Sequence, residues 1–132
     1  MKVNAITLGI AGSIWMAGSV AADPSLECSQ KATNQAEIGG CVAAQLTAVN
    51  SAVSLAYSFA ETAAKDLDAV TGRAVALPAL QASQAAWAAY RDRQCEYVGT
   101  TFGGGSGTGI AIDSCQVRLG RARVEALMAL AR

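Results

Sequence analysis

From Ile38 onward, apolar residues return at alternating steps of four and three: Ile38, Val42, Leu46, Val49, Val53, Ala56 and Ala60. Steps of that size place all seven on one stripe of a long helix, because side chains three and four apart share a face. Thr33 is placed to cap this helix, which then starts at Asn34. Glu37 falls in its first turn, where a negative charge suits the helix dipole. Gly39 and Gly40 cost about 1 kcal/mol each relative to alanine, so the first turns are expected to be irregular or pinned by Cys41. The helix should end between Lys65 and Val70, ahead of Thr71-Gly72, which reads as a turn.

A second helix is predicted from Pro78 to Tyr97, proline being suited to a first helical turn. Its Leu80, Gln84, Trp87, Arg91 and Cys95 repeat at helical spacing, a stripe of mixed polarity. Five glycines crowd Thr100 to Gly109, which predicts a flexible loop in which no packed element persists. Asp113 then caps a third helix, with Gln116 as its capping-box partner. Val117, Val124, Leu127, Met128 and Ala131 make the inner face. No alternating run argues for a sheet, and no internal repeat is present. The fold expected is all-α: a small antiparallel three-helix bundle, with or without a short extra helix.

The first residues belong to a different pattern. Met1 and Lys2 give a short positive start, and Ala5 to Val20 carry no charge. Ser19-Val20-Ala21 and Val20-Ala21-Ala22 both fit the small-residue pattern of a cleavage site, so residues 1–22 are expected to be a signal peptide and 23–132 a single domain. The apolar run is shorter than the ~20 residues that cross a bilayer, and Asp23-Pro24 follows it, so no stable membrane span is expected after cleavage. The expected location is periplasmic or secreted. The whole chain has ten basic and ten acidic residues; without Lys2 the balance is nine against ten, about −1. Nucleic acid is therefore not an expected partner.

Export also changes the reading of the four cysteines, because even sets outside the cytosol are usually oxidised. Of three possible pairings, Cys28 with Cys41 and Cys95 with Cys115 are favoured, since each closes a short loop between a helix and the segment beside it. Zinc is the rival, but no C-x-x-C spacing occurs and histidine is absent. No metal or other cofactor is expected. Without histidine, Ser-His-Asp and Cys-His nucleophile systems are excluded, and the acids are scattered over caps and ridges with no evident cleft. The expectation is a binding protein, not an enzyme.

The second helix carries a more specific pattern. Leu80-x-x-x-Gln84-x-x-Trp87-x-x-x-Arg91-Asp92-x-x-Cys95-Glu96 resembles the signature of the LprI-type lysozyme-inhibitor family. The resemblance extends to Cys28 and Cys41 flanking Thr33-x-x-x-Glu37, to Tyr57, to the glycine-rich loop, and to Cys115 followed by Leu119, Arg121, Arg123, Glu125 and Leu127. It covers about residues 26–128 and implies an inhibitor that occludes the substrate cleft of a lysozyme-like muramidase. Members commonly carry Asp where this chain has Asn50, Asn where it has Ser54, and a threonine where it has Gly120. The alternative is a periplasmic protein-interaction or scaffolding module without lysozyme inhibition. Sequence assigns no oligomeric state.

Several residues admit two readings. Arg91 lies one turn from Trp87 and within reach of Gln84. It is either a buried guanidinium paired with Glu61, Asp66 or Asp68, or an exposed grip on a partner's carboxylate. The first is favoured because Arg91 shares the stripe of Leu80 and Trp87. Tyr57, Gln84, Trp87, Arg91 and Asp92 form the expected structural network. The loop is either a connector or a probe that presents Ser106 and Thr108; it lacks the lysine of a phosphate-binding loop. Tyr90 and Tyr97 share one side of their helix, as an exposed aromatic patch or as packing. Arg118, Arg121 and Glu125 form a ridge, usually a solvated face.

Overall fold

A computed structural model describes residues 22–131, in which every regular element is helical: α1 (Pro24–Ser29), α2 (Gln35–Thr71), α3 (Ala76–Thr100) and α4 (Thr108–Leu130). The expected leader, but for its last residue Ala22, lies outside the described residues. Helices α2, α3 and α4 run up, down and up, and α1 is the short extra helix. Both expected disulfides are present, Cys28–Cys41 joining α1 to α2 and Cys95–Cys115 joining α3 to α4.

Capping explains the boundaries and corrects three of the expectations. Asn34, not Thr33, is the cap of α2: its Oδ1 accepts from the Glu37 amide at 3.0 Å. Glu37 reaches back to accept from the Thr33 amide at 2.8 Å, so the box is shared by two residues and the helix starts one position later. α2 then runs unbroken through Gly39 and Gly40 and ends at Thr71, with Gly72 in the left-handed region at φ 66°. α3 begins two residues before Pro78 because Asp68, near the end of α2, accepts from the amides of Val75, Ala76 and Leu77 at 2.8–3.1 Å. Those bonds hold the Asp68 carboxyl below its ordinary value.

The third correction concerns α4. It starts at Thr108, five residues before Asp113, so the Asp113–Gln116 capping box does not form. Ile110 and Ile112 draw this segment into the helix: Ile110 lies against Gly39, and Ile112 against Gly99. Packing outweighs the low helix propensity of the flanking glycines.

The core is the seam between α2 and α4. Val42, Val49, Val53, Ala56 and Ala60 are buried, as are Val117 and Leu127, while Tyr57, Leu80, Trp87 and Val124 pack partly buried around the lower cluster. Met128, expected on the inner face, is 44% exposed. By length and hydropathy α2 would pass as a membrane-crossing helix, yet its buried residues form the stripe that α4 covers. Gly120 permits the close approach of the two helices, since a Cβ there would meet Val49 Cγ2 at 2.9 Å and Cγ1 at 3.2 Å. Val49 is β-branched and cannot swing away. Gly120→Ala is therefore expected to destabilise by about 1–2 kcal/mol, an overpacking cost larger than the helix-propensity gain, and a urea titration would read it.

The expected solvated ridge on α4 is also corrected. Arg121 donates from Nη1 and Nη2 to the two carboxylate oxygens of Glu27, each at 2.9 Å, and from Nη2 to Gln45 Oε1 at 3.3 Å. This fork ties α1 to α4. Its bonds lower the Glu27 carboxyl below its ordinary value of 4.5 and raise the Arg121 guanidinium. A carboxyl depressed in the folded state adds stability above its ordinary value, and that stability fades as pH falls through the lowered one. Urea midpoints should thus drop as the pH is lowered from the ordinary carboxylate value into the more acidic range. Glu27→Gln should show a shallower drop; an identical slope would remove Glu27 from the acid response.

Candidate functional surface

On one side of the bundle, a polar cluster surrounds Trp87. Arg91 Cζ lies 4.9 Å from the ring centroid and Arg123 Cζ 5.6 Å from it, both within cation–π range. Arg91 donates from Nη1 to Asn50 Oδ1 at 2.9 Å, and its Nε lies 3.7 Å from Asp92 Oδ1, beyond hydrogen-bond reach. None of Glu61, Asp66 or Asp68 is its partner: Glu61 pairs with Lys65 at 3.3 Å, and Asp68 caps α3. Arg91 is thus tied down by the Asn50 amide, the Trp87 face and the looser ion pair with Asp92, so the carboxylate partners expected from the sequence are replaced. Gln84 accepts from Arg123 Nε at 2.9 Å, while Asp92 is exposed and touches the network only through Arg91.

Arg123, named above only among the residues that carry the resemblance, was not foreseen in this cluster. It falls on the line Gln116, Gly120, Arg123, Leu127, so spacing alone places it inward; its charge hid it. Burial pushes its guanidinium below the ordinary arginine value.

At the end of the bundle where α1, the start of α2 and the start of α4 meet, the glycine-rich segment forms a sequence of tight turns. The amides of Phe102, Gly103, Gly105 and Thr108 donate to the carbonyls of Gly99, Thr100, Phe102 and Gly105. Ser106 Oγ donates to Gln35 Oε1 at 2.9 Å, pinning the tip to α2. The segment is therefore braced, not the unstructured run expected. Thr108 opens α4 with Oγ1 buried and unpaired, so it is not available to a partner, whereas Ser106 is exposed.

Between this loop and α1 lies a groove of about 260 Å³ with Leu26, Ile38, Phe102 and Ile110 among its walls. Leu26 is 64% exposed and Phe102 53%. Tyr90 and Tyr97 are both more than half exposed, and Tyr97 is one turn from the loop. The buried Cys95–Cys115 bridge lies beneath it. Among the described residues, no three or more Cys, Asp or Glu side chains gather as a cation site.

An all-α bundle stapled at the base of an exposed loop by one disulfide, and at its added first helix by another, is the class of protein defined here. The sequence profile described as "Lysozyme inhibitor LprI" matches residues 28–127, a span that includes both disulfides, the loop and the Trp87 cluster. The chain belongs to that family, whose members are inhibitors and typically extracytoplasmic. It is 31% identical over 115 residues, covering 83% of this chain and 82% of the relative, to the uncharacterized protein R02472 of Rhizobium meliloti (strain 1021). No solved structure matches.

Proposed function

We propose that the oxidised protein acts in the periplasm or outside the cell, where it binds a lysozyme-type muramidase and occludes its substrate cleft. The observation that carries this reading is the family match over residues 28–127. The geometry supports the loop end as the contact surface. Phe102 and Leu26 offer exposed apolar area beside the Ser106 hydroxyl, on a loop whose turns are already formed, so less ordering entropy opposes binding. Tyr97, and Tyr90 behind it, would extend the contact, aromatic residues being favoured interface anchors. Arg91 is assigned a supporting part, holding α3 to α2.

The test is cell-wall lysis by several lysozyme types with the oxidised protein in micromolar excess. Slowed lysis by at least one type is expected, and unchanged rates for all would reject the reading. Phe102→Ala is expected to weaken inhibition about ten-fold while the thermal midpoint stays within about 2 °C. Equal inhibition by that variant would move the contact surface elsewhere. A second reading, an envelope interaction module without muramidase inhibition, takes its support from Asn50, a neutral residue bonded to Arg91 where the family resemblance implies an acidic one. Pull-down from envelope extract separates the two, because a dominant partner unrelated to muramidases favours the second.

A further inference from the structure

The opposite end of the bundle has an opening that the loop surface does not explain. There α2 faces the first turns of α3 with alanines, among them Ala60, Ala64, Ala76 and Ala79, too small to fill the space between the helices. The result is an open groove of about 430 Å³, with Leu67 and Leu130, both more than half exposed, among its lining residues. That volume lies in the range of small-molecule sites. Its walls are helices whose backbone groups are mostly paired within the helix, the first amides of α3 being taken by Asp68, so an extended peptide would find few partners for its own amides and carbonyls. An alkyl chain asks for none.

The groove's single polar lining side chain is Ser83. Its Oγ accepts from Arg123 Nη2 at 3.3 Å, which leaves the hydroxyl proton free to be donated and polarises it. Arg123 itself has no Asp or Glu within 4.0 Å among the described residues, although other guanidiniums of the chain do. A half-buried cation held only by neutral groups lacks the counter-charge that burial calls for. An anion beside Ser83 would provide it.

We propose that this groove binds a free single-chain carboxylate of the fatty-acid type, its alkyl chain along the alanine walls and its carboxylate accepting from Ser83 Oγ beside Arg123. Trp87, stacked on the other side of Arg123, then reports occupancy, since the bound carboxylate draws the guanidinium away from the ring. The site is separate from the loop end and does not depend on the inhibitory reading.

Equilibrium dialysis of the oxidised protein with octanoate, decanoate and dodecanoate, each below its micellar concentration, tests the proposal. Saturable binding of one molecule per chain is expected, tightening about two- to four-fold per added methylene. Arg123→Gln should weaken dodecanoate at least ten-fold, Arg123→Lys should retain most of the binding, and Ala64→Leu should abolish it by filling the groove. Circular dichroism verifies that each variant is folded, and Arg93→Gln, an exposed arginine elsewhere on α3, should bind as the parent does. Lack of saturation, equal binding of dodecyltrimethylammonium, or indifference to both Arg123→Gln and Ala64→Leu would overturn the assignment. Tight binding to anionic phospholipid vesicles that dodecanoate fails to displace would overturn it in favour of a membrane surface.

Discussion

Replacing Leu127 with alanine is expected to remove about 3 kcal/mol of stability and to lower the thermal midpoint by roughly 15 °C. Leu127 is fully buried and lies in a cluster with Val53, Ala56 and Ala60, bordered by Leu80, Trp87 and Val124. Its α2 neighbours are short or β-branched and cannot reach into the space left behind. The helices are also held in register by the Glu27–Arg121 fork and the Cys95–Cys115 bridge, which limits collapse around the cavity. For a domain of this size the total stability is on the order of 5–15 kcal/mol, so the loss is a large share. Met128→Ala, one residue on, should change stability by less than about 0.5 kcal/mol because its side chain is substantially exposed. Urea denaturation of the two variants side by side decides the matter. Losses of equal size would mean that the seam between α2 and α4 is misplaced.

That contrast between neighbours shows what the sequence could and could not tell. Spacing alone identified the α2 stripe, because five of its seven positions are apolar residues that end up buried and the other two, Ile38 and Leu46, are half-buried. On α4 the same reasoning put Met128 inside, since it looked for apolar residues. The face that turns inward includes Val117, Gly120, Arg123 and Leu127, and two of these do not look like core. Gly120 is there because the helices approach too closely for a Cβ, and Arg123 because Gln84, Ser83 and Trp87 accommodate its guanidinium. Both reasons are tertiary and leave no trace in a hydropathy pattern.

The candidate surface was legible to a similar depth. The Trp87–Arg91 contact follows from their spacing of four, whereas Gln84 joins the cluster only through Arg123, from another helix. The partner of Arg91 does not follow, because Asn50 is 41 residues away and neutral, while a search for counter-charge turns naturally to Glu61, Asp66 and Asp68. Glycine content suggested a loose loop from Thr100 to Gly109, and it concealed three things: turn hydrogen bonds, the Ser106–Gln35 contact, and the winding of Thr108 to Ile112 into α4. Composition reports the freedom of a segment in isolation; its order here comes from α2, α3 and the sulfur bridge beneath it.

That bridge gives the expectation that links stability to the proposed function. Removing it as Cys95→Ala with Cys115→Ala should cost about 3 kcal/mol in the chain-entropy model, since it closes a loop of 20 residues. Removing Cys28–Cys41, which closes 13, should cost nearly as much in that model, because closure entropy grows only with the logarithm of loop length. Stability alone therefore hardly separates the two variants. Inhibition should separate them further. The Cys95–Cys115 bridge fixes where α3 ends and α4 begins, and so sets the span over which Phe102 and Ser106 are presented. Cys28–Cys41 fixes α1, which supplies one rim of the same groove through Leu26. Assayed well below both thermal midpoints, the Cys95/Cys115 variant should lose more muramidase inhibition, because its loop must be ordered on binding at an entropic cost the parent avoids. Equal inhibition by parent and variant, with both folded, would show that the loop's presentation is irrelevant to the contact. The loop end would then give up its claim to the partner even if lysozyme inhibition itself were observed.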